Sequence, residues 1–281
     1  MAAAFPSLTA HPEVLLIVGL IAVGYVTALT RLGPRLAPLG SPVATRFQQT
    51  CFGLGVFAIL LASHWPIHDL AEGYHYSIHM VQHLVYTMLA APLLLLGTPA
   101  WLARWILAPR WLFATVRGLS RFVPALVTFN LIIVVSHWPA FVDLTLRSTL
   151  AHFLAHTVIL GSAFMIWMPL LSPLPEIPRL APISRMVFLF LQTVVPTIPA
   201  SFLTFGSHPL YRRYESLPKV WGISALDDQL IAGLIMKIGA GLLLSVLIAV
   251  IFFHWVATEE PVGRRGSRSH DDPPLLTEVN G

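Results

Sequence analysis

The stretch SIHMVQHLVYTMLAAPLLLLG, Ser77 to Gly97, decides how this chain is read. A helix of about 20 mostly apolar residues crosses the hydrocarbon core of a bilayer, and this stretch meets that length. It has no Asp, Glu, Lys or Arg, yet it carries His79 and His83 near its start. Positions i and i+4 share one helical face, about 6 Å apart along the axis, so the two imidazoles point the same way. An ionisable group inside a span is costly and normally faces the bundle interior or a polar cavity. The stretch therefore reads as a spanning helix with a functional face.

Working outward, comparable apolar runs fall at about 14–32, 47–65, 122–140, 150–171, 184–205 and 228–256, each near span length. Of the 281 residues, 56% are hydrophobic and 11% charged, with a mean hydropathy of +0.75. A soluble domain would carry about a quarter charged residues. The expectation is an all-α, polytopic membrane bundle of seven transmembrane helices over residues 1–258. A polar tail from Glu259 to Gly281, with prolines and mixed charges, reads as disordered and cytoplasmic. The first residues lack a basic stretch and a small-residue cleavage pattern, so the first span is expected to stay.

The basic residues alternate by loop. Arg31, Arg35, Arg46, Arg104, Arg110, Arg117, Arg121, Arg179, Arg185, Arg264, Arg265 and Arg268 fall on one side. Arg147, Arg212, Arg213 and Lys219 fall on the other, and Lys237 lies within the last span. By the positive-inside rule this puts the N-terminus outside and the C-terminus in the cytoplasm. The net charge of +4 is topological and implies no nucleic-acid partner. Residues 100–121 interleave Trp101, Trp105 and Trp111 with arginines, as suits a segment in the headgroup layer of the lipid bilayer. The lone cysteine, Cys51, excludes an intramolecular disulfide or a Cys-x-x-Cys metal site.

A repeat runs through the first two-thirds. Ser63-His64-Trp65-Pro66 followed by His79 and His83 recurs as Ser136-His137-Trp138-Pro139 followed by His152 and His156. It predicts a two-helix unit, spans two and three, repeated in spans four and five about an axis along the membrane normal. A degenerate third echo, Ser207-His208-Pro209 with Asp227, falls before the last span.

Ten of the twelve histidines lie at the expected outer side, and only His254 and His270 do not. Membrane solubility does not require that bias. His64, His79, His83, His137, His152 and His156 are the candidate metal ligands. Neutral imidazole suits copper, zinc and iron, and Met80 offers a soft thioether for Cu(I). Copper is preferred and zinc stays open. Bis-histidine haem is disfavoured because an i, i+4 pair crowds one macrocycle face. A proton relay and plain interfacial histidines are the other readings. Groups expected to support these ligands or join them are His68, His75, Met80, Gln82, His208, Asp227 and Asp228, with Gln82 placed to hydrogen-bond within the cluster. Asp69, Glu72 and Asp143 are candidates to orient imidazoles. Asp227 and Asp228 also suit a helix N-terminus. Gly233, Gly239 and Gly241 permit close helix contact.

The residues His79-Met80-Val81-Gln82-His83, leading into Ala91-Pro92-Leu93-Leu94-Leu95-Leu96-Gly97-Thr98-Pro99, resemble the CtaG-like cytochrome c oxidase assembly factors associated with caa(3)-type oxidases. Asp227-Asp228-Gln229 through Gly233 and Met236 is similar to that family's last-span motif, and the second pair, His152 and His156, also matches. A single-span copper chaperone of the same name uses cysteines that this chain lacks. The resemblance implies a non-enzymatic protein of the bacterial plasma membrane. It would bind copper at an outer-face histidine cluster and aid maturation of a haem-copper oxidase. Its partners would be an oxidase subunit or other copper-delivery proteins. A haem-binding membrane redox protein and a copper transporter are the alternatives.

Overall fold

The computed structural model describes residues 5–268, with side chains to Thr258. It is all-helical among the described residues, with twelve helices. These are α1 (Pro12–Leu36), α2 (Arg46–Ser63), α3 (Ile67–Gly73), α4 (Tyr76–Gly97), α5 (Ala100–Ile106) and α6 (Arg110–Leu119). There follow α7 (Phe122–Ser136), α8 (Pro139–Arg147), α9 (Thr149–Leu171), α10 (Pro182–Phe205) and α11 (Arg212–Ser216). The last, α12, joins Ala225–Leu234 to Ala240–Arg268 through a π-helical turn at Ile235–Gly239. The backbone is thus helical past Glu259, where a disordered tail was expected to begin; residues 269–281 of that tail lie outside the described residues.

Five helices, α1, α4, α9, α10 and α12, are long and apolar enough to cross a membrane, and the number reaches seven if each of two bent pairs is one span. The expected spans at 47–65 and 122–140 are those pairs. Proline explains the first: Pro66 cannot continue a helix, and α3 leaves α2 at 42°. The second is α6 and α7, bent by 87°. α7 has only 15 residues, about 22 Å of helix, because the chain turns at His137-Trp138-Pro139. α6 lies across it with Trp111 and Arg110 exposed, the position a headgroup-layer segment takes.

The two histidine-bearing turns are not simple loops. Each carries a short helix, α3 or α8, before the chain re-enters as α4 or α9. Residues 206–224 fold over the same face, and their Tyr211 and Tyr214 are buried. Tyr211 donates to the His137 carbonyl and Tyr214 to the Ala71 carbonyl, both at 2.9 Å. On the opposite face Arg104 pairs with Glu176 at 2.8 Å. Both are half-exposed, so the pair adds little stability.

Lipid-facing and core-facing sides separate cleanly. Leu20, Val23, Val250 and Phe253 point outward, while Phe188, Ile159, Ala163 and Leu203 are fully enclosed. Helix contacts rest on small residues, as expected where water does not drive association. A Cβ on Gly97 would lie 2.5 Å from the Phe52 amide nitrogen, and one on Gly233 would lie 2.9 Å from the Ala200 carbonyl. Gly239 approaches Leu84, whereas Gly241 faces open space. Interhelical polar bonds add direction: Asn130 donates to Gln192 at 2.9 Å, and the Trp167 indole donates to the Thr87 carbonyl at 2.7 Å.

The N-terminus of α4 is held from a distance. The first amides of a helix lack intrahelical acceptors, and His75, at the N-cap, supplies none. Asp228, on α12 and 1% exposed, does instead. Its carboxylate accepts from the Tyr76 amide at 2.7 Å, the Ser77 amide at 3.2 Å and the Ser77 hydroxyl. Asp228 therefore caps α4, not its own helix, which Ser224 caps through the Asp227 amide at 3.1 Å.

Two outcomes follow for stability in detergent. Asp228→Ala strands three buried donors and should cost about 3 kcal/mol or more, because even one bond to a charged group contributes about 1.5–3 kcal/mol. An unchanged unfolding midpoint would remove this clamp from the account. Gly97→Ala forces α4 from α2 against backbone atoms that cannot rotate away, an overpacking cost of about 1–3 kcal/mol. Reversible unfolding in mixed micelles measures both.

Candidate metal centre

Because α4 begins at Tyr76, His79 and His83 sit in its first turns with their rings 4.4 Å apart. The matching pair on α9 has rings 4.2 Å apart. The two helices face each other, and the four rings interleave: His79 lies 5.3 Å from His156 and 5.7 Å from His152, and His83 lies 5.1 Å from His156. One ligand atom each from His79, His83 and His156 lies within 4.8 Å of the others, close enough to share a single ion. A space of about 10 Å³ is lined by these four histidines together with Tyr76, Ser136, Phe141 and Val142, too small for an organic group.

These nitrogens lack other work. Nδ1 of His79, Nε2 of His156 and both ring nitrogens of His83 are buried without a hydrogen-bond partner among the described residues. A buried polar atom left unpaired costs about 1–3 kcal/mol, and three imidazoles sharing that cost at one point fit a cation. Tyr76 stacks on His79 and Tyr86 packs edge-on against His156, closing the sides.

A second grouping adjoins the first. His68 and Glu72, an i, i+4 pair on α3, meet His152, with all three ligand atoms within 4.8 Å. Glu72 lies 2.7 Å from His152 Nε2 and 3.2 Å from His68 Nε2. Farther toward the surface, His11 contacts Asp69 at 2.9 Å, and Thr9 also donates to Asp69. Burial disfavours charge on His11, but Asp69, with Glu13, still lifts its pKa above the usual histidine value. The His11 ring lies 4.7 Å from His68, so imidazoles form a continuous file from surface to interior. An apolar cleft of about 190 Å³ between α1 and α9 ends at His68, Glu72 and His152.

The six candidate ligands are thus not equivalent. His79, His83 and His156 converge, and His152 belongs with His68 and Glu72. His137 lies 5.9 Å from His83, ring to ring, with Nε2 3.4 Å from Met80 Sδ. His64 stays outside both groupings, 5.7 Å from His11. Among the other candidates, Gln82 is corrected. It does not bond within the cluster but donates to the Ala62 carbonyl on α2 at 2.6 Å, because its position on α4 faces away from α9.

His75 stacks on Trp221 and lies 3.3 Å from Asp228, away from the triad. Burial pushes its pKa below the ordinary histidine value despite that carboxylate. His208 is exposed, and Asp227 is an exposed partner of Ser224, so the third echo brings no ligand to the site. Asp143 pairs with Arg147 at the surface. Glu72, a candidate to orient imidazoles, contacts two of them, and its spacing from His68 repeats the i, i+4 pattern of the histidine pairs.

No curated protein and no solved structure matches the chain. The family described as cytochrome c oxidase caa3 assembly factor matches it over residues 23–258. That match covers most of the chain, including both helices that bear the triad, and the chain belongs to the cytochrome c oxidase caa3 assembly factor family.

Proposed function

We propose that the protein holds copper as cargo at the His79–His83–His156 triad and presents it during maturation of a haem-copper oxidase. The observation that carries this reading is the convergence of three imidazoles whose buried nitrogens have no other partner. Among divalent first-row metals copper binds nitrogen sites most tightly. The role is binding rather than catalysis. The partner is an oxidase subunit or a copper-delivery protein that meets this face.

The membrane is the bacterial plasma membrane. Twelve arginines at one side and four basic residues at the other favour an outward histidine face. The His68–Glu72–His152 group lies between the surface and the triad and serves as the entry position. Its carboxylate also orients His152. The small space between the rings disfavours the haem reading, since organic ligands occupy pockets of about 300 Å³ or more.

Replacing His79 and His83 together by Ala should reduce the copper content of the purified protein to background and lower oxidase activity. The protein should remain in membranes. Copper content equal to the wild type sinks the assignment. Glu72→Ala should weaken copper affinity about tenfold or more, the usual effect of losing a ligand's support. Competition against a chelator measures it, and an unaltered affinity removes Glu72 from the centre. Metal analysis with an absorption spectrum on the same sample separates copper from zinc.

A further inference from the structure

A second cavity, of about 50 Å³, lies on the interior side of His83, and Met80, Met88, His137 and Met236 share its wall. We propose that this cavity is a second metal station, built for a soft monovalent cation such as Cu(I). It lies deeper in the bundle than the triad and shares His83 with it. The proposal rests on the copper reading above only for the identity of the cation.

His137 is the first argument. Its Nδ1 lies 2.7 Å from the Ile133 carbonyl. A carbonyl only accepts, so Nδ1 carries the proton and, in the neutral ring, Nε2 keeps a lone pair. That lone pair faces Met80 Sδ at 3.4 Å. Thioether sulfur has no hydrogen to give, so the two atoms cannot satisfy each other. A cation satisfies both. Ligands held at about 2.0 Å through nitrogen and 2.3 Å through sulfur, as at zinc, stand about this far apart around a tetrahedral ion.

The donor set is the second. Three of the chain's seven methionines line this one cavity. Methionine is a common gap-filler in cores, and alone the three would mean no more than packing. Here they surround two imidazoles, and both ring nitrogens of His83 are unpaired at 8% exposure. Thioether and imidazole without carboxylate select Cu(I) over harder ions. The outer group, with Glu72, has the opposite character. Softness therefore increases inward, from carboxylate and imidazole, through imidazole alone, to imidazole and thioether.

The backbone supplies the third. Met88 lies in a π-helical turn at Val85–Ala90 and Met236 in the turn at Ile235–Gly239. Such turns cost regular hydrogen bonding and recur at functional sites. Here the Thr87 carbonyl in the first turn is taken up by Trp167. At about 50 Å³ the cavity has room for an ion.

The test uses the full chain in lipid nanodiscs, titrated anaerobically with Cu(I) and in parallel with Ag(I), a redox-inert soft cation. X-ray absorption at the copper edge reads the ligand atoms. The wild type should bind a Cu(I) equivalent with sulfur scattering. Met80→Leu with Met236→Leu, close in volume, should lose that equivalent and its sulfur signal. It should keep the nitrogen-only equivalent. His79→Ala with His156→Ala should do the reverse. Nitrogen-only Cu(I) in the wild type, or unchanged stoichiometry in the methionine variant, overturns the proposal. If copper survives the His79 and His156 changes in full but depends on the methionines, the triad reading fails and this one stands.

Discussion

The carboxylate of Asp228 fixes what the rest of the site depends on. A helix N-terminus in a low-dielectric bundle exposes amides that must be paired, and the first turn of α4 has no local side chain to pair them. A buried carboxylate from α12 meets two of those amides and the Ser77 hydroxyl together. Those bonds set both the depth and the rotation of α4. His79 and His83 follow about one and two turns later, so their aim toward α9 derives from a residue about 150 positions away in sequence. The favourable field between an anion and a helix start makes the same contact stabilising.

Among the described residues most other buried polar side chains are paired, Gln82 Oε1, Asn130 Oδ1 and Gln192 Nε2 being left over. Indole, phenol and hydroxyl groups find carbonyls, many of them on neighbouring helices. Histidine nitrogens are the most numerous exceptions, and those of His79, His83 and His156 meet. The duplicated sequence does not yield two equal centres: α4 gives two imidazoles to the triad and α9 gives one, while the other α9 ring turns to Glu72. His64 and His137 occupy matching places in the sequence and different surroundings, one near His11 and the other enclosed beside Met80. Neighbouring helices, not the repeat itself, decide the role of each copy.

Much of this was legible in the chain. Hydropathy gave the long helices within a few residues, and i, i+4 spacing placed each histidine pair on one face. Tertiary adjacency was not legible, because spacing along a helix says nothing of which helix stands opposite. Gln82 looked like a member of the cluster by position and instead faces α2. Asp228 looked like a cap for its own helix and caps another. The first broken span carried a signal in Pro66 and the end of α7 one in Trp138-Pro139, yet a window of apolar residues averages over such breaks. Glu72 was visible as the partner of His68 once i, i+4 spacing is applied to unlike residues.

His83 borders both the space among the four histidines and the methionine cavity. One imidazole thus stands as the partition between them. A ring can change the direction of its two nitrogens by turning about a single bond, while the helices keep their packing. If both spaces hold metal as proposed, exchange across that partition would be timed by side-chain rotation, not by the μs–ms rearrangements of whole helices. A bundle locked by glycine contacts and a buried carboxylate would then stay rigid while an imidazole between two spaces turns.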